Sequence, residues 1–206
     1  MEITAITPQV KDKARCSVYV DGRFYCGLSL ETAVKNRLKV GQTVSEEYLS
    51  EIQLESEKRM ALDKALTHLT ATQKTEREIR EFLSKKGYLP ATVEYVLEKL
   101  RGYNFVNDGD YAKSFVAVRA KRKGEKLIRM ELRAKGISDE AAREALSEID
   151  EETQIQAACT VLEKYVKGKT LDEATLQKAY RHLLSKGFSY DVARCALSSL
   201  RDIEDL

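Results

Sequence analysis

Between Tyr111 and Gly136 the chain carries nine basic residues and only two acids, Glu125 and Glu131. Within that stretch Lys126, Arg129 and Arg133 recur at spacings of three and four, which puts them on one side of a helix, while Ile128 and Leu132 fall on a core-facing side. Arg119, Lys121, Arg122 and Lys123 come just before and extend the set into a basic stripe. Such a row of guanidinium and ammonium groups neutralises phosphates without reading bases, giving salt-dependent, sequence-tolerant binding to single- or double-stranded DNA. It is equally suited to an acidic protein surface. The plain alternative is a solvated helix face, and the shortage of interleaved acids weighs against it. From Ile137 to Glu152 the sign reverses, with Arg143 alone against seven acids, so any binding surface is directional.

Other chemistries are poorly supplied. His68 and His182 are the only histidines, and both lie in amphipathic helical patterns far apart in sequence. "VKGKT" tempts toward a phosphate loop, but the first glycine of that motif would fall at Glu163. "NDGDY" (Asn107 to Tyr111) lacks a glutamate at calcium-loop spacing, so Asp108 or Asp110 is expected to cap a helix. Cys16, Cys26, Cys159 and Cys195 show no CxxC spacing and no neighbouring histidine, which predicts four free thiols in a reducing compartment. These residues predict no catalytic or metal site and no cofactor, hence a protein that is not an enzyme. No run approaches the ~18 apolar residues of a membrane span and "MEITAITPQV" lacks a signal core, so a cytoplasmic location is expected.

The elements that must position the stripe are mainly helical. One third of the 206 residues are charged and tryptophan is absent, a composition that favours helices with one buried face. The first thirty residues differ. "EITAI", "ARCSVYV" and "RFYCG" are β-prone, and Asp21-Gly22 predicts a hairpin that pairs Ser17 with Cys26. Ser29 is then a candidate cap for a helix ending at Gly41, and helical spacing resumes at Ser45. Tyr48, Leu49, Ile52, Met60, Leu62, Leu66 and Leu69 are its candidates for burial.

A repeat dominates the rest. "LSKKGYLPATVEYVL", "LRAKGISDEAAREAL" and "LLSKGFSYDVARCAL" align on Gly87, Gly136 and Gly187, separated by 49 and 51 residues. Four positions before each glycine is a leucine. Six, nine, ten and thirteen after it come apolar residues that share one helix face. Each copy therefore reads as helix, glycine turn, helix, with Ser138, Ser189 and Pro90 opening the second helix. A third helix precedes each pair: one leads to a cap at Thr75, one stops at Gly124 and one at Gly168. This divides the chain into residues 1–60 with the hairpin and lead helices, then three-helix units at 61–107, 108–150 and 151–206.

With order and spacing in hand, the chain resembles the RecX family of bacterial regulators of the RecA recombinase. The resemblance is carried by "FVNDGDYAKSFV" (Phe105 to Val116), "LRAKGIS" and "LSKGFS", and by the N-terminal "YVDGRFYCG". It implies tandem three-helix repeats in an elongated curved array that lies in the groove of the RecA filament on DNA. It also implies modulation, usually inhibition, of filament growth and hence of ATP hydrolysis, strand exchange, repressor cleavage, the SOS response and DNA repair by homologous recombination. Under that resemblance Arg119, Lys121, Arg122, Lys123, Lys126, Arg129 and Arg133 face DNA or the filament. A stand-alone DNA-binding protein that competes for single strands is the alternative.

Overall fold

The computed structural model describes residues 1–10 and 12–204, with side chains up to residue 200 apart from residue 11. Three strands open the chain, β1 (Ile3–Pro8), β2 (Arg15–Val20) and β3 (Arg23–Ser29), in one antiparallel sheet of order β1-β2-β3. Asp21 and Gly22 both adopt positive φ, 46° and 78°, the geometry that closes a two-residue hairpin with the twist of its strands. A bulge then shifts the register between Val18 and Tyr19, so Cys26 pairs with Val18 and Cys16 with Leu28. This corrects the expected pairing of Ser17 with Cys26. The extra residue, Tyr25, is what turns Cys26 and Leu28 to the same buried face as Cys16, Val18 and Val20.

Helix α1 (Leu30–Lys35) begins at Ser29, whose side chain accepts from the Thr32 amide. It ends well before Gly41. Asn36 turns its side-chain amide back to the Thr32 carbonyl, and Arg37 takes a left-handed φ of 50°. Gly41, also left-handed, donates instead to the Ile3 carbonyl, tying this loop to the sheet. Helix α2 (Glu46–Leu69) starts where helical spacing was expected to resume, with Ser45 as its cap, and runs unbroken past residue 60. Its first half buries Leu49 and Ile52 against the sheet, and its second half presents Ala61 and Ala65 to the next helices. Tyr48 stays partly open, and Met60, Leu62, Leu66 and Leu69 are half-buried. The small alanines take the closest positions between helices.

The repeats follow as α3 (Glu76–Lys85), α4 (Pro90–Gly102), α5 (Asp108–Arg119), α6 (Glu125–Ala134), α7 (Asp139–Ser147), α8 (Glu151–Val166), α9 (Glu173–Ser185) and α10 (Tyr190–Glu204). The last two positions of the expected third unit lie outside the described residues. Leu83, Leu132 and Leu183 are each fully buried, as are Val93, Ala142 and Ala193 six residues after each glycine. Gly87, Gly136 and Gly187 hold φ of 87°, 88° and 88°, and the amide after each glycine returns to the carbonyl of that buried leucine. Two helix ends differ from expectation. Asn107, not Asp108 or Asp110, caps α5, because it holds the extended backbone just before the first turn, where its Oδ1 accepts from the Gly109 and Asp110 amides together. Helix α5 stops at Arg119, and Gly124 instead opens α6.

Compactness divides the chain into two units, Met1–Lys74 with Ile79–Val106, and Thr75–Glu78 with Asn107 onward. The first holds the sheet core and the α2–α4 core, and the second holds the cores of α5–α7 and α8–α10.

Candidate nucleic-acid interface

Helix α6 carries the centre of the basic stripe, and its start is unusual. Gly124 has no side chain to cap the helix, so carbonyls from the turn between α9 and α10 supply the need. The Gly124 amide donates to the Lys186 carbonyl at 3.0 Å and the Lys126 amide to the Gly187 carbonyl at 3.2 Å. A Cβ on Gly124 would lie 2.2 Å from the Gly187 backbone, so only glycine permits this approach. The same kind of joint occurs a second time in this unit. Thr75 and Glu78 form a reciprocal capping box, Thr75 Oγ1 donates to the Lys135 carbonyl at 2.8 Å, and Lys135 Nζ pairs with Glu78 at 2.7 Å. That pairing holds the Lys135 pKa above its ordinary value.

Ile128 and Leu132 are fully buried, which fixes the rotation of α6 and turns the basic residues outward. Lys126, Arg129 and Arg133 come together, with Glu125 and Met130, around a hollow of about 360 Å³. The other four candidates do not join them there. Arg119 packs its guanidinium over the Phe115 ring and reaches Glu131 at 4.0 Å, and Lys123 is ion-paired to the same carboxylate. Lys121 lines a separate hollow with Asp150, Glu152 and Thr153, among the acids that open α8. Arg122 is exposed.

The charge count of the sequence is thus corrected by pairing. Glu131 lies between Arg119 and Lys123, and Arg133 binds Asp139 through both carboxylate oxygens at 2.7 and 2.8 Å. The Arg133 hydrogen bonds and charge hold the Asp139 carboxyl below its usual range. Lys126 and Arg129 form no ion pair among the described residues, although Arg129 adds to the field on Asp139. Sequence reasoning missed Tyr190. The residue is 58% exposed, and its ring lies under Lys126 with Nζ 5.1 Å from the centroid.

The remaining candidates stand apart. His68 stacks on Phe82 with centroids 4.1 Å apart, and His182 stacks on Tyr165 at 4.4 Å, its pKa lowered by burial and by Lys186 and Lys169. Cys16 and Cys26 are buried, and burial pushes the Cys26 thiol up to about 11. No group of three potential ligands is close enough to hold a metal among the described residues, and no described helix is long and apolar enough to cross a membrane.

Four family models match in order along the chain: the regulatory protein RecX N-terminal domain over residues 1–45, and the first, second and third RecX three-helix domains over 61–100, 107–146 and 152–197. A regulatory protein RecX from Bacillus licheniformis is 32% identical over 95% of this chain and 76% of its own. One from Clostridium beijerinckii is 32% identical over 99% of both chains. Among solved structures, a crystal structure of regulatory protein RecX superposes with a TM-score of 0.70 at 28% identity, covering 94% of this chain and 97% of that one. The RecX structure from Lactobacillus salivarius gives 0.65 at 27% identity over 70% and 97%.

Proposed function

The chain belongs to the RecX family, and from that premise we propose that it modulates the RecA recombinase, as an inhibitor that binds the RecA filament on DNA and limits its growth. The observation that carries this reading is the run of four family models in order along one chain. Regulation of a polymer suits a repeated scaffold, because several weak contacts along one partner add through effective concentration. Shape and charge then suffice without an active site. Lower RecA ATPase, strand exchange and repressor cleavage all follow from less filament.

Within the scaffold, the open cations of the α6 hollow, Lys126 and Arg129, are the primary contacts to DNA or filament, with Arg133 shared between that partner and Asp139. Arg119, Lys121, Arg122 and Lys123 are secondary. The test is the steady-state ATPase of RecA on single-stranded DNA, titrated with this protein. Suppression at ratios too low to cover the DNA supports the reading, and loss of that suppression in a folded Lys126→Glu, Arg129→Glu variant supports the assignment. A stand-alone strand competitor instead suppresses an unrelated single-strand-dependent ATPase equally, with a steep salt dependence. No effect on RecA, together with no binding to its filament, overturns the proposal.

A further inference from the structure

The α6 hollow is not bounded by charge alone. Met130, in its lining, is 67% exposed, and Tyr190, 58% exposed, lies under Lys126, so two large side chains stand in solvent as part of the lining or in contact with it. Tyr190 differs from an apolar group exposed singly, because its ring is in contact with one of the two open cations. Tyr190 is also firmly placed. It is the first residue of α10, three positions after Gly187, whose carbonyl binds the Lys126 amide, and Ser189 beside it caps α10 by accepting from Val192 at 3.2 Å. The ring and the cation are therefore held together by a main-chain joint between two repeats as well as by their own contact.

We propose that Tyr190 is a nucleobase-stacking residue, and that the hollow takes a single-stranded nucleic acid with phosphates on Lys126 and Arg129 and one base on the Tyr190 ring. This rests on the reading of the hollow as a phosphate-binding surface and names what lies in it. The chemistry is complementary. The ring can offer a base the face that Lys126 does not cover, while the two open cations satisfy phosphates of the same strand. Met130 adds an apolar side chain to the lining, and Glu125 is its one acid.

The experiment needs no RecA. Binding of the full chain to a fluorescent thymidine oligonucleotide and to an abasic strand of the same length is compared by anisotropy, for the wild type, Tyr190→Ala, Tyr190→Phe and Lys126→Gln with Arg129→Gln. The expected result is a preference of the wild type for the base-bearing strand, on the order of tenfold, from stacking of one base. Tyr190→Ala removes that preference without weakening abasic binding, Tyr190→Phe keeps it, and the double variant weakens both strands alike. Equal binding of both strands by the wild type, or an unchanged preference in Tyr190→Ala, overturns the proposal. So does the absence of binding to either strand, an outcome that leaves RecA inhibition through protein contacts standing and so separates the two readings.

Discussion

The Lys86-Gly87 and Lys186-Gly187 turns have the same sequence, the same left-handed glycine and the same bond back to a buried leucine, yet they stand in opposite surroundings. A Cβ added to Gly87 meets nothing within 4 Å, whereas one added to Gly187 would lie 2.4 Å from the Leu127 amide nitrogen. The first glycine only ends a helix. The third also lets a backbone press against the start of α6 and cap it. Gly136 is intermediate, since its added Cβ would meet the Arg77 side chain at 2.6 Å. One local motif thus serves as a plain stop at one place and as the joint that positions the candidate interface at another.

The largest effect that separates these roles is on stability. Gly187→Ala combines a left-handed residue, ~1–2 kcal/mol, with a backbone clash, ~1–3 kcal/mol, for a loss of about 3 kcal/mol or more. Gly136→Ala is expected to lose about 2 kcal/mol and Gly87→Ala about 1 kcal/mol. Urea unfolding of the three variants checks the order, and equal losses would reduce all three glycines to simple helix stops. Next comes the other partner of each joint. Thr75→Ala removes both the capping box and the bond to Lys135, at a cost of about 1–2 kcal/mol, while Gly124→Ala meets backbone and costs more than that.

A third comparison sets open cations against paired ones. Lys126→Gln with Arg129→Gln should flatten the salt dependence of single-strand binding, lowering the slope of log K against log salt by about 1.4, two phosphates at 0.7 each. Lys123→Gln should change it little, because that charge is already committed to Glu131. The smallest effect is one of pH, and it acts only near the third turn. The slot five residues before each glycine holds Phe82, Glu131 and His182. Burial first, then Lys186 and Lys169, lowers the His182 pKa below 6.5, so the unfolded chain takes up the proton first. Stability from this group is present above about pH 6.5 and falls as pH drops through the folded value. His182→Gln should remove that slope, and an NMR titration midpoint for His182 at or above 6.5 would contradict it.

The Asp21-Gly22 turn, the Ser29 cap, the start of helical spacing at Ser45, the Thr75 capping box, the three glycine turns and the buried leucines before them were all legible in the sequence. Each depends on bonds that span five residues or fewer, so the residues that make the structure lie side by side in the chain. The bulge at Tyr25 was not legible, because it answers to which face of the sheet α2 covers rather than to the turn. Nor was the split of the basic stripe, since Lys123 and Arg119 find Glu131 across a turn between helices and Lys121 faces the acids of α8. Tyr190 and Gly124 gained their places from residues about sixty positions away in the chain. The sequence by itself determined the repeated unit, through local hydrogen bonds and a periodic apolar face. The tertiary structure decided which cations stay open and what stands beside them, because ion pairing and backbone approach are settled only when distant segments pack.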